Sequence, residues 1–254
     1  MNALQVENLT KRYPDFTLSG VSFTLERGGI MGLIGKNGAG KSTTLKSILN
    51  LVPPDGGRIE ILGLPFPERE QECKRKMGVV PGGIDFYLDK RVSAVTAVTR
   101  RFYPDWDQDA YHRYMEEFGI SPNKRVRDLS AGMRVKYLIA LALSHQAELF
   151  LFDEPTSGLD PVSRDELLTL FRALVKDGNR SILFSTHITS DLEKCAGSIT
   201  YIKDGKILAS GETSSFLASF QHLRTPEDPG PLTLEDIMVR TENYNGQGHK
   251  TIIA

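Results

Sequence analysis

The sequence has 254 residues, of which 40% are hydrophobic and 25% are charged. This length suits one large α/β domain, or a core with a smaller inserted subdomain, and the composition excludes a disordered chain. The formal net charge is −1, from 31 basic and 32 acidic residues. Because nucleic-acid-binding domains are usually basic, we expect no nucleic-acid partner.

The N-terminal half begins with patterns typical of an α/β protein. Residues 21–25 alternate apolar and polar side chains and residues 30–34 are uniformly apolar, so both are predicted strands. A glycine-rich loop over 35–40 follows at once, and the next apolar residues have helical spacing over 41–51. Arg58 to Leu62 is predicted to be another strand.

Residues 86–128 differ, because short helical patterns, aromatic residues and charges dominate there. With a predicted helix over 131–145, they indicate an inserted helical subdomain over about 86–145. Its aromatic side chains are predicted to form a small core of their own: Phe102, Tyr103, Trp106, Tyr111, Tyr114 and Phe118.

The α/β alternation then returns. The sequence predicts a buried parallel strand at 148–152, a helix at 161–176, a strand at 181–185, a helix at 189–196 and a hairpin at 198–210. The main domain is thus expected to cover residues 1–215.

The remaining residues, 216–254, are rich in proline and carry one helical stretch near 233–239. We interpret them as an accessory C-terminal tail with a frayed end. The longest apolar runs of the chain, at 137–143 and 149–152, are far shorter than the roughly 20 residues of a membrane-spanning helix. The protein is therefore expected not to cross a bilayer by itself, although it could bind a membrane protein.

The strongest functional motif follows the strand at 30–34. The segment from Gly35 to Ser42 reads GKNGAGKS and matches the phosphate-binding pattern G-x-x-x-x-G-K-[ST] in full. Its backbone N–H groups and the positive end of the next helix can face phosphates, Lys41 adds a charge, and Ser42 offers a hydroxyl to Mg²⁺. The predicted nucleotide-binding residues are Gly35, Asn37, Gly38, Gly40, Lys41, Ser42 and Thr43.

Two acids end the apolar strand at 148–152. Parallel sheets bind ligands at the carboxyl ends of their strands, so Asp153 is expected to reach Mg²⁺ beside Ser42. Glu154 is expected to polarise a water for in-line attack on the γ phosphate of the nucleotide. A phosphate loop with such acids still fits many kinases, GTPases and motor proteins.

The segment Leu129 to Met133 reads LSAGM and resembles the LSGGQ signature of ATP-binding cassette (ABC) ATPases. Ser130 alone would be an ordinary helix N-cap. The resemblance implies that Ser130 and Gly132 bind the γ phosphate of the nucleotide that the opposite subunit holds.

Further segments resemble this family over about residues 3–215. Ser157 to Asp160 is similar to the D-loop that crosses the dimer interface, His187 to the switch histidine that contacts the γ phosphate, and Tyr13 to the aromatic residue that stacks on adenine. The implied fold is a P-loop NTPase core with an antiparallel β subdomain and an inserted helical subdomain. The implied cofactors are ATP and Mg²⁺, with Glu154 and His187 catalytic.

The resemblance also implies partners. A complete site needs two chains head to tail, so a homodimer is expected, together with an integral membrane permease that holds the protein at the cytoplasmic face of the cell membrane. Residues 102–106 and the spacing over 153–211 are most similar to bacterial exporters of drugs, antimicrobial peptides or amphipathic peptide toxins. The permease is expected to contact residues 78–106.

Alternative functions stay open at this point. A soluble ABC ATPase that acts on ribosomes would have two fused cassettes, and one that acts on DNA a long coiled coil, and the sequence has neither. A GTPase is disfavoured because no aspartate stands two positions after Lys124. An importer motor fits the same motifs. One departure from the family is the lack of a glutamine near Gly82, which predicts slow hydrolysis or a different contact with the permease.

Overall fold

The computed structural model describes residues 1–82 and 87–243. Within them the chain forms ten strands and nine α-helices. The strands are β1 (Asn2–Arg12), β2 (Thr17–Glu26), β3 (Ile30–Ile34), β4 (Gly56–Ile61), β5 (Leu64–Phe66), β6 (Met77–Val80), β7 (Leu149–Asp153), β8 (Ser181–Thr186), β9 (Ser198–Lys203) and β10 (Lys206–Glu212). The helices are α1 (Lys41–Ile48), α2 (Glu70–Arg75), α3 (Val92–Thr99), α4 (Gln108–Glu117), α5 (Ala131–Ser144), α6 (Pro161–Val175), α7 (Thr189–Cys195), α8 (Thr213–Ser219) and α9 (Leu234–Asn243).

Six strands form the central sheet in the order β10-β9-β3-β8-β7-β6. All except β10 run parallel, and every residue of β3 and β8 is buried. Continuous apolar strands of this kind are expected where helices cover both faces of a parallel sheet. The carboxyl ends of β3, β7 and β8 therefore meet at one edge, where the loops that follow them come together.

A second, antiparallel sheet has the order β2-β1-β4-β5, so the predicted fold class is confirmed. The predicted strand at 21–25 is only part of β2, and β1 was not recognised as a strand. Asn8 has a positive φ of 50°, and the register of β1 shifts on both sides of it. These bulges interrupt the alternation that marks a strand in sequence.

Helix α1 ends earlier than the predicted range 41–51. Asn50 adopts a left-handed φ of 54°, its N–H donates to Ser47 O, and Leu51 N donates to Lys46 O. This pair of bonds is a Schellman motif, which ends a helix without the help of a proline.

Helices α3, α4 and α5 enclose a separate apolar cluster that includes buried Tyr111, with Trp106, Tyr114 and Phe118 packed against it. Buried hydroxyls are paired, since Thr96 Oγ1 lies 3.0 Å from Tyr111 Oη and 2.9 Å from Tyr137 Oη. The prediction was wrong for Phe102, which is 72% exposed in a 3-10 helix after α3. Tyr103 instead stacks on His145, with ring centroids 3.7 Å apart.

The C-terminal segment packs against the central sheet. Phe216, Leu232, Leu234 and Ile237 are buried in the same cluster as β7 and β8. Helix α9 extends beyond the predicted stretch 233–239, and the predicted frayed end at 244–254 lies outside the described residues.

Candidate nucleotide site

The phosphate loop connects β3 to α1. Gly35, the first residue after β3, has a φ of 151°, and a Cβ there would lie 2.2 Å from Ile202 O. Only glycine lets the loop pass this close to β9. The loop is also held from the hairpin side, because Gly205 N donates to Ala39 O at 3.0 Å.

Lys41, at the start of α1, is 5% exposed. Its Nζ donates to Gly35 O at 2.7 Å and lies 3.5 Å from Glu154 Oε1. A buried ammonium needs such partners, and they place its charge at the mouth of the loop where phosphates would lie.

The candidate magnesium ligands lie together at the ends of α1 and β7. Ser42 Oγ donates to Asp153 Oδ1 at 3.2 Å, and Ser185 Oγ donates to the same oxygen at 2.6 Å. One hydroxyl and one carboxylate suit Mg²⁺, which usually takes few protein ligands beside phosphate oxygens and water. In residues 1–82 and 87–243, no cluster of three His, Cys, Asp or Glu side chains could hold a metal ion.

Glu154 stands in a sharp turn after β7, with a φ of 51°. Its N–H donates to Ser185 Oγ at 2.9 Å, which ties this turn to β8. Its carboxylate is held from two sides, by Lys41 and by His187, whose Nδ1 donates to Glu154 Oε2 at 2.7 Å. The side chain is therefore oriented toward the phosphate loop.

A surface cleft of about 720 Å³ brings together most of the predicted residues of the nucleotide site. The predicted residues on its wall are Tyr13, Asn37, Gly38, Gly40, Lys41, Ser42, Thr43, Glu154 and His187. Asp153 lies in an adjoining groove that Ser42 and Glu154 also line. Tyr13 on the cleft wall is 41% exposed, so its flat ring is accessible to a base that would stack on it.

Two residues of the cleft were not predicted, namely Asp15 and Phe16, and a third, Ser157, was predicted only as part of the interface segment from Ser157 to Asp160. Tyr13 N donates to Phe16 O at 2.8 Å, and this turn brings the two rings to 6.5 Å. The Pro-Asp pair between them is a turn signal that could have revealed Phe16.

The signature residues form a second group. Ser130 caps α5, since its Oγ accepts from Met133 N at 3.2 Å, and Asp160 caps α6 by accepting from Val162 N and Ser163 N. A Cβ on Gly132 would lie 3.5 Å from Ser163, so the starts of α5 and α6 are neighbours. Among the described residues, Ser130, Gly132 and Asp160 are not on the wall of the cleft.

No helix in residues 1–82 or 87–243 is both long and apolar enough to cross a membrane.

Residues 18–157 match the protein family described as "ABC transporter".

Curated relatives share about one third of their residues with this chain. The Nod factor export ATP-binding protein I of Burkholderia lata is 34% identical over 241 residues, which cover 92% of this chain and 79% of the relative. The bacitracin transport ATP-binding protein BcrA of Bacillus licheniformis is 32% identical, with 81% and 68% covered. The linearmycin resistance ATP-binding protein LnrL of Bacillus subtilis is 33% identical, with 82% and 68% covered.

A solved structure has the same fold. The structure of an ATP-binding subunit of an ABC transporter superposes with a TM-score of 0.81 at 28% identity, covering 94% of this chain and 99% of the other.

Proposed function

This chain belongs to the ABC transporter family and is an ATP-hydrolysing subunit of the exporter type, and we propose that it drives a peptide, drug or similar amphipathic molecule through a separate permease. One observation carries the catalytic part of the proposal. Lys41 and His187 hold the carboxylate of Glu154 at the mouth of the phosphate loop. That arrangement suits in-line attack of water on a γ phosphate.

The roles of the site residues follow from their positions. Glu154 accepts a proton from the attacking water, and His187 fixes the orientation of that carboxylate. Backbone N–H groups of 35–40 and Lys41 bind the phosphates, and Tyr13 stacks on the base. Ser42 and Asp153 fit Mg²⁺, which would supply charge neutralisation on the phosphate oxygens.

The separation between the two groups of residues supports a homodimer. The cleft carries the phosphate loop and Glu154, whereas Ser130 and Gly132 lie at the start of α5, where Ser130 is exposed and Gly132 is buried. A helix start with free N–H groups binds anions. A head-to-tail pair with two-fold symmetry would bring Ser130 of each chain to the nucleotide of the other, with the Asp160 segment at the interface.

The permease would bind the helical region within 78–106. Among the described residues of α3 and the 3-10 helix after it, the exposed large apolar side chains are those of Val98 and Phe102. A contiguous exposed apolar patch can mark a protein interaction surface. This contact would place the subunit at the inner face of the cell membrane. The relatives are named for Nod factor export, bacitracin transport and linearmycin resistance, which favours export over import.

A pull-down from the native host tests the proposal. Tagged protein is purified in detergent, and its partners are identified by mass spectrometry. We expect a near-stoichiometric multi-span membrane protein, whose recovery should be lost in a Phe102→Glu variant and kept in the exposed-helix control Glu116→Gln. Recovery of ribosomal or DNA-associated proteins alone would contradict it, and a partner with an external substrate-binding protein would indicate import.

A further inference from the structure

Helix α9 of the C-terminal tail reaches the phosphate loop through one side chain. Glu242, in the last turn of α9, is 17% exposed. Its Oε2 lies 3.1 Å from Lys36 Nζ, and its Oε1 accepts a hydrogen bond from Tyr201 Oη at 2.9 Å. Lys36 is the residue directly after Gly35 in the phosphate loop. The tail therefore contacts the loop that binds phosphate.

The second partner of Glu242 is part of the frame beneath the loop. Tyr201 is fully buried on β9 and pairs with Ile34, the last residue of β3. Burial raises the pKa of the Tyr201 hydroxyl, which therefore stays protonated and donates to Glu242. The neighbouring Lys203 Nζ donates to Thr241 O at 2.6 Å. These two bonds fix the end of α9 against β9.

Lys36 transmits this anchoring to the loop backbone. Its carbonyl oxygen accepts from Ala39 N at 3.1 Å and lies 3.4 Å from Lys41 Nζ. Contact with the Glu242 carboxylate raises the pKa of the Lys36 ammonium. A shift of Lys36 would move the second, more distant carbonyl acceptor of the phosphate-binding Lys41, next to Gly35 O.

We propose that Glu242 is a positioning residue for ATP binding, which makes the geometry of the phosphate loop depend on the C-terminal tail. The proposal rests on the nucleotide site proposed above. By linkage, ATP binding should in turn hold α9 against the sheet.

The negative charge of Glu242 and its positioning role predict opposite changes in ATP affinity when Glu242 is replaced. If the negative charge of Glu242 acted mainly on ATP itself, removing it would tighten binding. Lys36 neutralises that charge, and its side chain is 55% exposed, so solvent screens the remainder. Loss of positioning should dominate, and binding should weaken by about two- to fivefold, the range for an ion pair with one exposed partner.

The experiment is titration of the full-length protein with a fluorescent ATP analogue. Glu242→Gln and Lys36→Gln should each weaken binding, Glu242→Asp should restore most of it, and the control Glu235→Gln on the exposed side of α9 should match the wild type. The double variant should bind no worse than either single variant, because both changes break one interaction. Melting curves check that each variant is folded.

Two results would overturn the proposal: unchanged affinity in Glu242→Gln, or effects of the two single variants that add. Lys41→Ala separates this test from the site itself. If Lys41→Ala still binds the analogue like the wild type, the nucleotide site is wrong. If Lys41→Ala loses binding while Glu242→Gln does not, only the role of α9 is wrong.

Discussion

His187 Nδ1 donates a hydrogen bond to Glu154 Oε2 over 2.7 Å, which joins the loop after β8 to the turn after β7. The two residues are brought together by the parallel pairing of these strands, in which Asp153 lies opposite Ser185. The other oxygen of Glu154 faces Lys41. A single carboxylate thus links three loops of the site.

Replacement of His187 should slow hydrolysis without removing ATP binding. In His187→Ala the carboxylate of Glu154 loses one of the two side chains that orient it, and we expect kcat to fall about 100-fold, the order expected when a catalytic group is misplaced by about 1 Å. Steady-state ATPase assays measure kcat and KM together. The exposed His112→Ala should behave like the wild type, and a raised KM with unchanged kcat in His187→Ala would contradict the role given to His187.

Two glycines of the phosphate loop should differ in their tolerance of alanine. At Gly35 a methyl group would lie 2.2 Å from Ile202 O, so the loop must move and ATP affinity should fall more than about tenfold. At Gly38 an added methyl group would have no atom within 4 Å apart from those of its chain neighbours. The free-energy cost of alanine in the protein is then that of its left-handed backbone, about 1 kcal/mol. Nucleotide titration of Gly35→Ala and Gly38→Ala measures the contrast. Equal affinities would contradict the close approach to β9.

Gly82 should be the position that limits the response to Mg²⁺. A Cβ there would lie 3.1 Å from Asp153 Oδ2, so a longer side chain starts beside the candidate metal ligand. We expect Gly82→Gln to lower the Mg²⁺ concentration for half-maximal ATPase activity by about tenfold. Gly82→Ala carries the same Cβ without the amide and serves as control. Unchanged Mg²⁺ dependence and turnover in Gly82→Gln would count against slow hydrolysis caused by the missing glutamine.

His145 should make stability depend on pH. Burial beneath Tyr103 lowers the pKa of the His145 imidazole to about 4, while the unfolded chain binds this proton near pH 6.5. Between these values the unfolded state binds more protons, so stability is complete above about pH 6.5 and falls as the pH drops toward 4. Urea unfolding at pH 7.5 and pH 5 should differ by about 2 kcal/mol more in the wild type than in His145→Gln. An equal difference in both proteins would contradict this account.

The phosphate loop, Asp153, Glu154 and His187 could be predicted because each follows an apolar strand at fixed spacing. Their meeting at one sheet edge is then a consequence of parallel topology. Strand β6 was not predicted, because its sequence shows no recognisable strand pattern. Its Gly78 lies against Phe150 and Ala142 at distances that leave no room for a Cβ, and close packing between distant segments is invisible to periodicity.

Other features depend on the surface or on long-range contacts. The exposure of Phe102 could not be predicted, since an aromatic residue in a helical pattern fits a small core equally well. The contact between Glu242 and Lys36 joins α9 to the phosphate loop, which is far away in sequence, and neither residue belongs to an apolar pattern. In the sequence, only the family resemblance separates Ser130 and its neighbours from the nucleotide cleft. In the structure, the separation follows from the positions of α1 and α5.

We propose that two chains close around ATP and that the carboxylate of Glu154 activates the water that hydrolyses it. Sedimentation of Glu154→Gln, with and without saturating ATP and Mg²⁺, tests this most directly. The variant should hydrolyse ATP at least about 100-fold more slowly than the wild type and sediment as a dimer only with nucleotide. Glu116→Gln, an exposed change in α4, should keep wild-type turnover. A Glu154→Gln protein that stays monomeric at saturating ATP and Mg²⁺ would contradict the account.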